Sequence, residues 1–214
     1  MYGESYPAAA QSSCPPTMAV IGQQYCLSYP VDLTIVRKML TLSKGNFEVK
    51  DANGNLMFKV NGKLFCLHDQ HTLVDAAGKT IVTFRRKIFS AHGRWQVFRG
   101  ESTKPNDLLF SVKRSSILQM KTKLHVFLAS NTAEELCDFK IESSWFERSC
   151  VVYSRNSNNI IAQMKKNCNA RCILMGKDLF GVTVCPNIDY AFVVVLVVLL
   201  EEINTVRPGN SGGP

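Results

Sequence analysis

The run of apolar residues near the C-terminus constrains the fold more than any other feature of the sequence. From Ala191 to Leu200 every side chain is apolar, so no polar face remains for water and the run must be buried on all sides. As a helix, a segment of this length would span about 15 Å, whereas a bilayer core requires roughly 20 apolar residues. We therefore expect the run to lie inside the protein, surrounded by the rest of the chain.

The residues alone leave two conformations open for this run. Its many valines are β-branched and favour a buried strand. Asn187 or Asp189 is a suitable residue to cap the first turn of a helix, and the continuation through Glu201, Glu202 and Ile203 makes the run longer than most strands.

The chain before the run shows a period of two, which is typical of half-buried strands. Leu33 and Ile35 alternate with more polar neighbours, and Phe47 and Val49 repeat the pattern. No amphipathic helix of convincing length precedes residue 187. We therefore predict a mainly β protein.

A repeated motif divides these strands into hairpins. Residues 47–60 and 71–84 share Asp-x-x-Gly followed by an apolar position, and a degenerate third copy covers 150–164. Asp bonds its own backbone in a tight turn and Gly supplies a positive φ, so each copy predicts one β-hairpin. Five further strand-like stretches complete the set: 94–101, 107–116, 123–130, 137–144 and 180–186.

These elements add up to roughly ten to twelve short strands, which predicts a sandwich or a barrel. An antiparallel sheet of this size tends to close and remove its edges. Eight strands are filled by their own side chains, whereas about twelve leave additional space, which the apolar run can fill. At 214 residues we expect one domain.

Three stretches resemble the plant LURP-one-related family: FEVKDANGNLMFKV (47–60), WQVFRG (95–100) and, most specifically, NIDYAFVVVLVVLLEEIN (187–204). This family resembles the phospholipid scramblases and the Tubby C-terminal domain. The resemblance implies a closed antiparallel β-barrel of about twelve strands that encloses a hydrophobic C-terminal central helix at about 188–203. We expect flexible tails at 1–18 and 207–214 around a single domain at 19–206.

Charge and cysteine usage bear on partners and compartment. The net charge of +8 favours anionic partners such as phospholipid headgroups or nucleic acid, although a basic surface also serves solubility alone. The eight cysteines are scattered, and Met1 to Gln11 has neither the basic nor the apolar part of a signal peptide. We expect reduced thiols and an intracellular protein. Acylation of Cys14 stays undecided.

Motifs for catalysis and for metals are weak in this sequence. Cys66, His68 and His71 match no closed zinc pattern, and Asp51 to Asn55 is better explained as a turn than as a calcium loop. The scramblase resemblance places a calcium-associated acidic stretch before the helix, but Asp178 and Asp189 are too few carboxylates to enclose calcium. We predict no metal or cofactor and no enzymatic activity.

The basic residues are the best candidates for a binding site. Arg85 and Arg86 end one strand, Lys113 and Arg114 end another, and Lys121 and Lys123 share one face if their stretch is extended. The stretch LLFSVKRSSI resembles the Tubby strand that carries phosphoinositide contacts. Tubby separates its two cations by one residue, whereas Lys113 and Arg114 are adjacent and should project to opposite faces. A charged face that is merely solvated is the alternative.

The leading hypothesis is a non-enzymatic binding module, a monomer by default, that docks peripherally on phosphoinositide-containing membrane. It would lie in the cytoplasm or at the inner face of the plasma membrane. One alternative is a nucleic-acid-binding or transcription-regulating protein in the nucleus, for which Trp95, Phe98 and Arg99 offer an aromatic and basic patch. A scramblase-like lipid transporter is another alternative, and an enzyme is the least supported.

Overall fold

The wall of the molecule is an antiparallel barrel. The structure, a computed structural model, describes residues 17–38, 46–62, 69–87, 90, 93–115, 121–144, 149–155, 159–167 and 177–205. The strands in this part of the chain are β1 (Val31–Lys38), β2 (Asn46–Asp51), β3 (Leu56–Gly62), β4 (Gln70–Asp75), β5 (Thr80–Arg86), β6 (Trp95–Arg99), β7 (Leu108–Arg114), β8 (Lys121–Leu128), β9 (Phe139–Ser144), β10 (Ser149–Ser154), β11 (Ile160–Asn167) and β12 (Lys177–Val184).

Each strand pairs with the next one along the chain, and β1 pairs with β12 to close the barrel. The closing pair runs from Val31 opposite Val184 to Lys38 opposite Lys177. Closure gives every strand two neighbours, so the wall has no free edge. The closed barrel of about twelve antiparallel strands expected from the sequence is confirmed.

The repeated Asp-x-x-Gly motif forms the hairpin turns as predicted. The Asp51 carboxylate accepts the backbone N–H groups of Asn53 and Asn55 at 2.9 and 2.8 Å, and Gly54 has a φ of +85°. The side-chain amide of Asn55 also donates to this carboxylate. Together these hydrogen bonds lower the pKa of Asp51, and the amide of Asn55 has the largest effect. The carboxylate is therefore a turn-forming group.

The apolar run forms helix α1 (Tyr190–Thr205), which lies inside the barrel. Every residue from Ala191 to Leu200 is at most 1% exposed. Phe192 packs against two wall residues, Phe110 and Phe139, with ring centroids 5.0 and 4.9 Å apart. The central helix is confirmed; it begins and ends two residues later than the expected 188–203.

Asp189 caps this helix and joins it to the N-terminal segment. One carboxylate oxygen accepts the N–H of Phe192 at 2.9 Å, in the third position of the helix. The other accepts the consecutive N–H groups of Val20, Ile21 and Gly22 at 3.1, 2.7 and 3.0 Å. Both oxygens thus accept backbone N–H groups, so the carboxylate serves as a helix cap.

The two ends of the barrel differ because the helix runs from one to the other. At the first end, Met18, the last residue of the predicted tail, pairs with Ile188 beside the start of α1. At the other end, the Thr122 hydroxyl donates to the Asn204 side chain at 2.9 Å. His71 also lies there, inside the wall, with its Nε2 atom 3.9 Å from a Glu202 carboxylate oxygen. Residues 1–16 of the predicted tail at 1–18, and the whole predicted tail at 207–214, lie outside the described residues.

Candidate functional site

Strand alternation separates the predicted cations on β7 and β8. On β7 to β9 the core is formed by alternate residues, each at most 3% exposed: Phe110, Val112, Leu124, Val126, Phe139 and Ile141. Side chains in register between them must point outward. Lys113 and Lys123 therefore lie on the outer wall. Arg114, at the end of β7, is in register with the residues that point into the core. The expected opposite projection of Lys113 and Arg114 is what the structure shows.

Lys113 and Lys123 belong to a cluster that also contains two residues the sequence did not single out. Across the sheet, Lys113 pairs with His125 on β8, and His125 pairs with Lys140 on β9. Lys123 lies two residues from His125 on the same face of β8. Neighbouring strands are about 4.8 Å apart, so three lysines surround one imidazole within about 10 Å.

The pKa of His125 reflects both its burial and the three lysines around it. Its pKa is lowered, first by burial and then by the positive charges of Lys140, Lys123 and Lys113. Burial alone would lower the pKa of any histidine, but the three lysines act on the same ring from two neighbouring strands and its own. Three positive charges therefore surround one ring on this part of the outer wall.

Two glutamates neutralise part of this charge. Glu134, in the β8–β9 connection, accepts hydrogen bonds from both terminal nitrogens of Arg94 at 2.7 Å and also from the ammonium of Lys113. Glu142 lies 2.5 Å from the Lys140 ammonium and 3.2 Å from that of Lys123. We call the four cations, His125 and these two carboxylates the basic outer face. Four permanent cations against two carboxylates leave it positive.

The other predicted cations lie elsewhere. Arg85 is on the outer wall of β5, two strands from β7, where its guanidinium lies 5.3 Å from the Phe98 ring centroid and donates to the Thr103 carbonyl. Arg86 is exposed at the end of β5, 3.8 Å from the Asp69 carboxylate. The six residues do not form one site.

Arg114 and Lys121 complete the predicted set. The Nε atom of Arg114 is buried and has no hydrogen-bond partner among the described residues. Lys121 begins β8 opposite Ser144, and its side chain lies outside the described part of the structure.

The aromatic patch considered for nucleic-acid binding is not available for stacking. Trp95 points into the core and Phe98 lies beneath Arg85, each only 2% exposed. Arg99 donates to the carbonyl of Ile21. Aromatic platforms for unpaired bases need exposed ring faces, and these two rings have none.

The Cys and His residues named as possible metal ligands lie only partly within the described ranges. Within the described ranges, no group of three His, Cys, Asp or Glu is arranged to hold a metal ion. Cys66 and His68 fall outside those ranges, while His71 is buried on β4. Cys26, Cys137, Cys150 and Cys185 are free thiols.

Fold and site together define a class of protein: a closed barrel of twelve antiparallel strands around a C-terminal helix, with a basic patch on the outside of the wall. A family model described as LURP-one-related matches residues 31–201. The chain belongs to the LURP-one-related family.

Similar proteins come from Arabidopsis thaliana. Protein LURP-one-related 15 is 51% identical over 207 residues, covering 95% of each chain. Protein LURP1 is 48% identical over 184 residues, covering 86% of this chain and 89% of its own. A crystal structure of an Arabidopsis protein matches with a TM-score of 0.69 at 46% identity, covering 87% of this chain and 98% of that one.

No helix among the described residues is both long and apolar enough to span a bilayer. The sixteen residues of α1 would reach about 24 Å, less than a hydrocarbon core of about 30 Å.

Proposed function

We propose that this chain is a non-enzymatic binding module that attaches peripherally to an anionic membrane through the basic outer face. The observation that carries the proposal is the placement of Lys113, Lys123 and Lys140 around His125 on three neighbouring strands. Phosphate groups accept several charge-assisted hydrogen bonds at once, and lysines on a rigid sheet hold those donors in place. The inner leaflet of the plasma membrane is the anionic surface we expect it to meet.

Nucleic acid is the competing partner, since its backbone offers the same phosphate chemistry. The buried rings of Trp95 and Phe98 favour the membrane, because binding of unpaired bases relies on exposed aromatic faces. Contact with a duplex backbone alone would need only cations. The two partners are therefore separated by experiment.

The test compares two double variants that remove the same charge. Lys123→Gln with Lys140→Gln brings the basic outer face to neutrality, and Lys50→Gln with Lys59→Gln removes two lysines from β2 and β3, across the barrel. Each cation near an anionic membrane contributes on the order of 1 kcal/mol, so the first variant should lose roughly 20- to 30-fold in liposome binding. The second should lose much less. Both should unfold like the parent, because exposed ion pairs add little stability.

Liposome sedimentation at 0.01 and 0.1 M salt is the measurement, with phosphatidylinositol phosphate and phosphatidylserine vesicles of equal total charge. Attachment should weaken as the Debye length falls from about 30 to 10 Å, and phosphatidylinositol phosphate should be preferred. Equal losses of liposome binding in the two double variants would show that attachment depends on net charge and not on the basic outer face. No attachment at 0.01 M salt would remove the membrane proposal, and tighter binding of duplex DNA at matched phosphate would replace it.

A further inference from the structure

Within the basic outer face, Glu134 is held in an unusual way. Arg94 donates to both of its carboxylate oxygens in a forked pair, and Lys113 donates to one of them. The three side chains are only 21 to 26% exposed, less than Lys123, Lys140 or Glu142. These contacts, with the Arg94 hydrogen bonds first, lower the pKa of Glu134 to about 2.

The backbone at Glu134 adopts a conformation that is rare for this residue type. Its φ is +51°, in the left-handed region that glutamate rarely adopts. The Asn131 side chain holds this conformation by accepting the Glu134 N–H at 3.2 Å. Thr132, Ala133, Glu135 and Leu136 around it are exposed, so Glu134 is the residue in this stretch whose side chain packs onto the barrel.

The groups that hold Glu134 would equally hold a phosphate. Arg94 presents a planar fork to two oxygens, Lys113 adds an ammonium, and the Ser111 hydroxyl lies 3.3 Å from one Arg94 nitrogen. A carboxylate and a phosphomonoester both offer two oxygens to such a fork, and the phosphomonoester carries more negative charge.

We propose that Arg94 and Lys113 form a phosphomonoester site that Glu134 occupies in the free protein, and that a phosphorylated headgroup displaces it. The inference rests on the proposed membrane function and adds its regulation: the chain binds weakly until a group more anionic than a carboxylate competes. Phosphatidylserine, whose phosphate is a diester, should not displace Glu134. A lipid with a terminal phosphomonoester should.

The matched test is Glu134→Gln against Glu142→Gln, two isosteric changes that remove one negative charge each from the same face. Vesicles of phosphatidylcholine with 5% phosphatidylinositol 4-phosphate are the probe, and phosphatidylserine vesicles of equal charge are the comparison. We expect E134Q to bind the phosphomonoester vesicles on the order of tenfold more tightly than the parent, with a smaller gain on phosphatidylserine. E142Q should gain only a few-fold, equally on both.

Two further measurements separate this inference from the membrane proposal. Adding Arg94→Gln to E134Q should abolish the extra gain, while thermal unfolding checks that each variant is folded. Soluble glycerol 3-phosphate should shift the Arg94 side-chain NMR signals in E134Q at lower concentration than in the parent. If neither the parent nor E134Q binds vesicles but glycerol 3-phosphate shifts the Arg94 signals, the site binds a soluble phosphomonoester. The proposed membrane function is then wrong, while the phosphomonoester site is retained.

The opposite result is equally informative. If the parent binds vesicles but E134Q and E142Q gain alike on both lipids, Glu134 is an ordinary surface ion pair and the inference is wrong. If E134Q responds neither to the phosphomonoester vesicles nor to glycerol 3-phosphate, the inference is also overturned.

Discussion

The enclosure of α1 makes a prediction that no ordinary amphipathic helix would satisfy. Residues 193–200 cover two full turns, and each is at most 1% exposed. An alanine scan through consecutive positions should therefore destabilise the protein at every one of them. A helix packed on one side would instead show losses that recur every three to four residues.

The magnitudes follow from the side chains removed. Val→Ala deletes the equivalent of two methylenes, about 1.6 kcal/mol at 0.8 each, and leaves a cavity. The higher helix propensity of alanine returns roughly 0.5 kcal/mol, so each valine should cost about 1.5 to 2.5 kcal/mol. Leu196→Ala and Leu199→Ala should each cost about 3 to 5 kcal/mol. Leu196→Asp, which buries an unpaired charge, should prevent folding.

Urea unfolding followed by tryptophan fluorescence measures these losses, since Trp95 is 2% exposed and reports the barrel core. Ile160→Ala, at a position 40% exposed on the wall, is the control and should cost under about 0.5 kcal/mol. Losses below that value at positions spaced by three or four residues would refute the enclosed helix. So would a Leu196→Asp protein that melts like the parent.

Three further predictions concern titratable groups. Burial lowers the pKa of His71 to about 4. Between that value and an unfolded pKa near 6.5 the unfolded chain binds the extra proton, so acidification through this window should cost up to about 3 kcal/mol of stability. His71→Phe should remove that part of the pH dependence in urea titrations, and an unchanged slope would contradict the assignment. Burial also raises the pKa of Cys150 to about 12, so iodoacetamide should leave it unmodified in the native protein. Denatured protein purified without oxidation should titrate all eight thiols, and fewer would contradict the reduced state.

Local pattern was sufficient for most of the wall. Leu33 and Ile35 are inward, at 2% and 0% exposed, as their alternation predicts. Asp75 and Gly78 form a hairpin turn because a short acidic side chain and a positive φ are requirements of the turn itself. The burial of the run from 191 to 200 also followed from its composition, since no polar side chain was present to face water.

The conformation of that run was not decided locally. Its valines favour a strand, whereas the capping residues before it and its length favour a helix, and the resemblance to a known family decided between the two. The barrel supplies the physical reason: each wall strand already has two hydrogen-bonded neighbours, so a strand inside would leave its own N–H and C=O groups unpaired. A helix satisfies these groups within itself, and this outweighs the propensity of the valines.

The candidate site also required the tertiary structure. The sequence named Lys113 and Lys123 as candidate cations, and alternation predicted that Lys113 and Arg114 project to opposite faces. It could not bring Lys140 to the other side of His125, because that neighbourhood depends on the register of three strands. Nor could it place Glu134 against Arg94, forty residues away in the chain. Periodicity in the sequence determines which face a side chain occupies, whereas its neighbours on that face are fixed only when the strands pair.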